Sequence, residues 1–546
     1  MTRTPLYLKT AIATLTAATA AAQVTTIAEL ENAINNGAPN DTVTIAPGIY
    51  ELTAPLQPQP GMTITGAGAA QTIIRNAPAW NVGVVGLPDN ADDHTSINRN
   101  AYLIDLADNT TDITIEHLTL TAPELHGAIY GNNADNITIR NITVDDVLWS
   151  GIRLFRVNDG LIHDNTFIDA GGRSAITSGQ TGGGLFLTFT NTTDIYNNRF
   201  TKTPDHPGNF FGVKGRKATD VRIFNNTINV SFSIEFPFEN DFRVEIHNNY
   251  LNGVVSIPKF AGGPEADIGE SYRVYQNYFT RTYSVEGPRN GLELHDNLFD
   301  FDTNDDGGNL LATFGNNGSP VTPGATLVYN NNIKNPGRGL FWSGPIYNNV
   351  TFRNNHVITN TTITPRTEGL FGFKLNANNA GDTPDLSTLT ITDNIFELNG
   401  LARPLIRNGP GVDLSPITVE NNTLLNVSDT GVYTNPDTAA PRGPSAPLFF
   451  QVGVDGEFTV DGFDLYPTPP LPCAAADITA DGACTPGIPD ALVTLSDFSC
   501  YLSLWSNTDP IADITATGLC EPGNGGDGVD LSDFSCYLSE WSAGCP

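Results

Sequence analysis

The sequence predicts an all-β solenoid, a single-stranded parallel β-helix of about twelve coils with a short helix at its start. Three observations lead there. An asparagine-centred hexapeptide recurs through the middle of the chain, its flanks are rich in Ile, Val, Thr, Phe and Tyr with two-residue alternation, and no helical apolar period runs through them.

The first element is a leader. Arg3 and Lys9 precede the weakly apolar "TAIATLTAATAAA", and Ala20-Ala21-Ala22 forms a small-residue cleavage site before Gln23. Residues 1–22 therefore read as a signal peptide and the protein as secreted or held at the cell surface. Later in the chain no segment reaches the ~20 apolar residues of a membrane span. Thr26 and Glu29 form a capping-box signature ahead of "IAELENAI", which predicts a helix closing the open end of the core. "DTVTIAPGIYEL" and "GMTITGAG" follow as the first strands.

The repeat comes next. It reads "IHDNTF", "IYNNRF", "IFNNTI", "IHNNYL", "VYQNYF", "LHDNLF", "VYNNNI", "FRNNHV", "ITDNIF" and "VENNTL". The shared asparagines are Asn165, Asn198, Asn226, Asn249, Asn277, Asn297, Asn331, Asn355, Asn394 and Asn422, spaced by 20 to 39 residues. Stacked coils lie ~4.8 Å apart, so an Asn at one turn position can bond the Asn above and below. Asn also tolerates the left-handed conformation such a turn needs. Ile115–Leu120 and Ile139–Val144 read as two earlier coils, with Leu118 and Ile142 at the Asn position. His163, His247 and His295 share a position with Tyr196, Phe224, Tyr275 and Tyr329 and so read as members of a side-chain stack.

This arrangement resembles the right-handed parallel β-helix (pectin-lyase-like) superfamily over residues 24–450. The resemblance implies a right-handed coil and, for the domain at 23–465, a polysaccharide lyase or glycoside hydrolase.

A second strand in each coil places the charges. "GIRLF", "GVKG", "SIEFP", "SIPKF" and "SVEGP" align with Ile152, Val213, Ile234, Ile257 and Val285 inward, and Arg153, Lys214, Glu235, Pro258 and Glu286 outward. Lys259 lies one residue off that column, and Arg216, Glu239, Asp241 and Arg289 follow just past the strands. Later coils add Arg338, Trp342, Arg366 and Lys374. Charges beside aromatic rings suit a sugar polymer, with its apolar ring faces and polar edges. The net charge of −32 argues against nucleic acid or an anionic membrane as partner.

Two chemistries fit the stripe. In β-elimination on a uronate or sulfated polymer, cations offset the substrate anion while a base takes the neighbouring proton. Lys214, Lys259, Arg216 and Arg289 suit that role, and Arg153, Arg338, Trp342, Arg366 and Lys374 would bind substrate. The resemblance also implies Ca²⁺ held by acidic residues beside such cations, for which Glu239 and Asp241 are available along with Glu235. Inverting hydrolysis would instead use Glu235 and Glu286, on strands two coils and so roughly 10 Å apart. A non-catalytic, adhesive carbohydrate-binding solenoid is the third reading.

After the linker "YPTPPLP", 466–472, the composition changes. Residues 473–546 hold all six cysteines and no Lys or Arg, and residues 477–505 repeat at 513–541 with a 36-residue offset. Each copy joins an Asp-rich loop to a short amphipathic helix, and the chain ends "GCP". This duplicated module resembles a dockerin of the GC type. The resemblance implies Ca²⁺ loops using Asp477, Thr479, Asp481 and Asp497 in the first copy and Asp513 and Asp533 in the second, and a cohesin-like or surface anchoring partner. Thr517 replaces the loop aspartate in the second copy. The repeat suggests disulfides Cys484–Cys500 and Cys520–Cys536, with Cys473–Cys545 tying the ends; six cysteines allow fifteen pairings.

Overall fold

A computed structural model describes residues 23–82, 95, 97–171, 182–206, 211–236, 242–257, 271–280, 285–286, 291–301, 309–312, 326–336, 339–342, 349–359, 371–373, 388–397, 406–408, 416–425, 433–434, 441–442, 449–451 and 463–465. The leader, the linker and the cysteine-rich module lie outside these residues, as do their predicted metal ligands and disulfides. The chain divides into two compact units, Met1–Asn422 with Ser428–Phe463, and Thr423–Val427 with Asp464–Pro546.

The first unit is a parallel β-helix. Its coils contribute one strand each to three long sheets. Sheet I has fourteen strands, from Thr42–Thr44 to Thr418–Glu420, and sheet III has thirteen, from Tyr102–Leu106 to Phe449–Gln451. Sheet II takes the strand directly after each Asn turn, beginning with Gly48–Leu52. Neighbouring strands within these sheets pair in parallel, coil upon coil. Alternation of inward apolar residues builds the core, and in sheet III Ile104, Ile129, Ile152, Leu185, Val213, Ile234 and Val255 stack in register, fully buried.

The helix Ile27–Asn35 forms as its sequence predicts. The Thr26 side chain accepts from the Glu29 backbone while the Glu29 carboxylate accepts from the Thr26 backbone, and Leu30 and Ile34 are buried.

The ten predicted asparagines form one continuous ladder inside the turn between sheets I and II. Each Nδ2 donates to the next coil's Oδ1 at 2.8–3.1 Å, from Asn165 through Asn422. The same Nδ2 reaches back to a carbonyl of the preceding coil, as Asn249 does to Ile223 at 2.8 Å. Ile142 caps the row by donating its backbone N–H to Asn165. All ten are buried, and buried amides persist only when so satisfied. The left-handed residue is not the ladder Asn itself but the one before it: Asp164, Asn197, Asn225, Asn248, Gln276 and Asp296 all have φ of 52–56°. That preceding residue turns the chain outward, which frees the ladder Asn to point into the stack.

On the outer face of sheet I, His163, Tyr196, Phe224, His247, Tyr275, His295 and Tyr329 form a continuous ring stack with centroids 4.6–5.1 Å apart. The three histidines are stack members, as their repeat position predicts.

Two expectations for sheet III are corrected. Gly183–Thr188 is an additional strand between those of Arg153 and Lys214, so these cations sit two coils apart. On the coil after Glu235 the strand is Val254–Ser256. Val255, not Ile257, lies opposite Val285, and Ser256, not Pro258, holds the outward position, because the register shifts between Phe232 and Ile234.

Candidate functional site

The strands Gly127–Asn132, Ser150–Phe155, Gly183–Thr188, Phe211–Arg216 and Phe232–Glu235 lie side by side in sheet III. Their register sets Tyr130, Arg153, Phe186, Lys214 and Glu235 in one outward row. Glycines let the strands approach closely. A Cβ on Gly212 would stand 2.4 Å from Ile228, and one on Gly215 would stand 2.1 Å from the Phe236 ring. With those inward positions collapsed, Lys214 and Arg216 alternate to the outside.

The row is a layered stack of cations and rings. Arg153 is fully buried with its guanidinium carbon 3.9 Å from the Phe186 ring centre and 5.1 Å from Trp149. Trp149 meets Phe186 edge-on at 5.7 Å. Lys214 Nζ stands 4.3 Å from the Phe211 ring centre and 5.5 Å from Phe186, while Arg216 approaches Phe186 from 5.8 Å. Ring faces carry negative quadrupole charge, so they replace part of the hydration these cations lose.

Lys214 Nζ lies 2.6 Å from Glu235, the side chains being 6% and 14% exposed. Burial pushes the Lys214 ammonium below the ordinary lysine range; Glu235 opposes that shift, and Arg216 and Arg153 reinforce it. Burial and the two arginines thus favour the neutral form of this amine against the pull of Glu235.

Toward the helix start the row continues into Asp105, held by Arg99. Burial raises the Asp105 carboxyl, with Arg99 working against it, and pushes the Tyr130 hydroxyl up to about 12.

Register also places later residues. Glu286 lies on the second strand past Glu235, and Ala312, Trp342, Gly372 and Arg407 continue its row. Lys259, Arg289, Arg338, Arg366, Lys374, Glu239 and Asp241 lie outside the described residues. Among the described residues no group of three or more His, Cys, Asp or Glu side chains could hold a metal ion.

Sequence reasoning missed Trp149, Phe186 and Arg407. Phe186 had a signal in "GGLFLT", which shares the small–apolar pattern of its neighbours, but it follows its ladder Asn at a longer interval than the other strands.

A family model described as "Right handed beta helix region" matches residues 127–304, the span holding most of this row. No curated protein matches. Among solved structures, the A-module of the mannuronan C-5 epimerase AlgE6 of Azotobacter vinelandii is 13% identical, over 81% of this chain and 95% of that one, with a TM-score of 0.35. The catalytic unit of a GH87 α-1,3-glucanase from Streptomyces thermodiastaticus is 14% identical, over 83% and 70%, with a TM-score of 0.41. The Streptococcus pneumoniae surface adhesin PfbA is 12% identical, over 73% and 82%, with a TM-score of 0.40.

Proposed function

We propose that the protein cleaves an acidic polysaccharide by β-elimination, with Lys214 as the base. One observation carries the reading: a buried Lys214–Glu235 pair at 2.6 Å with Arg153 on the same row and Arg216 on the same strand as Lys214, in a chain of net charge −32. The neutral Lys214 amine would take the proton from the carbon next to the uronate carboxylate. The electron pair passes into that carboxylate as an enolate and then expels the glycosidic oxygen from the adjacent carbon, leaving a carbon–carbon double bond; water protonates the departing oxygen. Arg216, half-buried, would meet the substrate carboxylate. Arg153, beneath Phe186, supplies positive potential without touching the sugar. Glu235 orients the amine.

A second reading, inverting hydrolysis by Glu235 and Glu286, is favoured by their strands lying two coils apart, roughly 10 Å between backbones. Digesting alginate, pectate, glycosaminoglycans and sulfated algal glycans separates the readings. Reducing ends with ultraviolet absorbance from an unsaturated product mean elimination, and reducing ends without it mean hydrolysis. Neither signal, with glycan still bound, would leave an adhesive solenoid.

The proposal extends to export by the 1–22 leader and to anchoring by the dockerin-like module. Its Ca²⁺ ligands would be Asp477, Thr479, Asp481, Asp497, Asp513 and Asp533.

A further inference from the structure

Beside the row, at the turn leading from sheet III to sheet I, the first five coils of sheet III each place a residue just past the strand in the left-handed region. Asn109 and Asn133 occupy the first two coils, with φ of 63° and 48°, as the residue type best suited to that conformation. The next three coils carry Arg156, Phe189 and Lys217, with φ of 52°, 53° and 52°. Seven described non-glycine residues with positive φ are neither Asn nor Asp, and three of them fall on this one turn, on consecutive coils. Backbone bonds hold the conformation: Arg156 N–H donates to Thr188 at 2.8 Å, and Phe189 N–H to Arg216 at 2.9 Å. A strained backbone retained beside a candidate site is an outlier that points to use of its side chains.

Those side chains form a sandwich. Arg156 lies over Phe155 at 5.1 Å and over Phe189 at 5.9 Å, while Lys217 Nζ covers Phe189 from 4.8 Å. Phe155 braces Phe189 edge-on at 5.4 Å. Arg75, Arg99, Arg140, Arg222, Arg243 and Arg273 each pair with an Asp or Glu. Arg156 is exposed, and among the described residues its recorded side-chain partners are the two rings alone. In so acidic a protein, an arginine kept from carboxylates is a group reserved for an external anion.

We propose that Arg156 and Lys217, spaced by Phe189, form a second anion site that holds carboxylates of the polymer outside the Lys214 row. Resting on the acidic-polysaccharide reading, it adds the residues that would set preference for a polymer charged on several sugars. Two coil steps put the cations roughly 10 Å apart. One bound carboxylate group therefore cannot satisfy both, but a polyanion lying along the edge can.

The test compares wild type with R156N/K217N and with R156Q/K217Q, by affinity electrophoresis through polygalacturonate, alginate and neutral dextran. Asn already fills this turn on earlier coils, so R156N/K217N keeps the thermal midpoint of wild type or raises it. Gln keeps the aliphatic stems over the rings and covers a folding failure of the first variant. Both variants are expected to bind the acidic polymers roughly tenfold more weakly, the combined loss of one exposed and one half-buried charge contact. Retention of wild type with equal retention of folded variants overturns the edge site and leaves the Lys214 row standing. No retention of wild type in either acidic gel overturns both.

Discussion

The Lys214–Glu235 pair supplies a test in which the two single substitutions are not equivalent. Met at 214 removes one cation and leaves Glu235 with Arg216 on the neighbouring strand. Gln at 235 removes the carboxylate that Lys214 pairs with and leaves Lys214 with the cations Arg216 and Arg153. Breaking a buried pair costs about 3–5 kcal/mol when the remaining charge has no compensation. In the first case Glu235 keeps some exposure to water and has Arg216 on the neighbouring strand, so K214M should cost about 2 kcal/mol. No described carboxylate other than Glu235 pairs with Lys214, so E235Q should cost about 4 kcal/mol, and the double variant should lie below the sum. Chemical denaturation midpoints of the four proteins measure this. E235Q as stable as K214M, or more stable, would refute the charge balance assigned to the row. The pH dependence follows the same physics. Folded Lys214 releases its proton more readily than the unfolded lysine (~10.4), so the folded state binds fewer protons between the two values. Wild type should then gain stability relative to K214M as pH rises through that window toward ~10.4, and lose the gain as pH falls below the folded value. Turnover should rise across the same window, be absent in K214M, and in E235Q keep its alkaline limb but shifted to lower pH, since Glu235 was the group holding the amine's affinity for protons up. If E235Q instead abolishes turnover at every pH while K214M retains it, the base is Glu235.

Three further outcomes test the scaffold. Asn249→Ala removes side-chain bonds to Asn277, Ile223 and His247 and orphans buried groups of Asn226, so it should cost about 3–5 kcal/mol, read as a lower denaturation midpoint. Gly215→Ala drives a methyl to 2.1 Å from the Phe236 ring and should cost about 1–3 kcal/mol while lowering turnover, because the same strand carries Lys214. Thr26→Ala removes the helix cap and should cost about 1 kcal/mol, with faster amide exchange confined to Ile27–Asn35.

What could be read from the sequence was local and periodic. The Asn ladder and the His163–Tyr329 ring stack repeat one contact at one turn, so each copy in the sequence reports the same neighbour one coil away. The adjacency of Lys214 and Glu235 was legible for that reason: "GVKG" and "SIEF" align without a gap or a bulge. Where coils differ in length the repeat no longer reports its neighbour. The strand Gly183–Thr188 follows a long connection, so the ring that separates Arg153 from Lys214 was not placed. At Val254–Ser256 the ladder slips by one residue on one side, which no pattern of apolar residues announces. The left-handed residue was ambiguous because Asp-Asn and Asn-Asn pairs suit that conformation at either position, and only the inward hydrogen bonds decide it. Burial was the least legible. Arg153 and Arg156 stand three residues apart on one coil, yet one is fully buried between Trp149 and Phe186 and the other is exposed with rings for neighbours. That difference separates a cation that sets the potential of the row from one that can touch a polymer, and it is created by side chains arriving from adjacent coils.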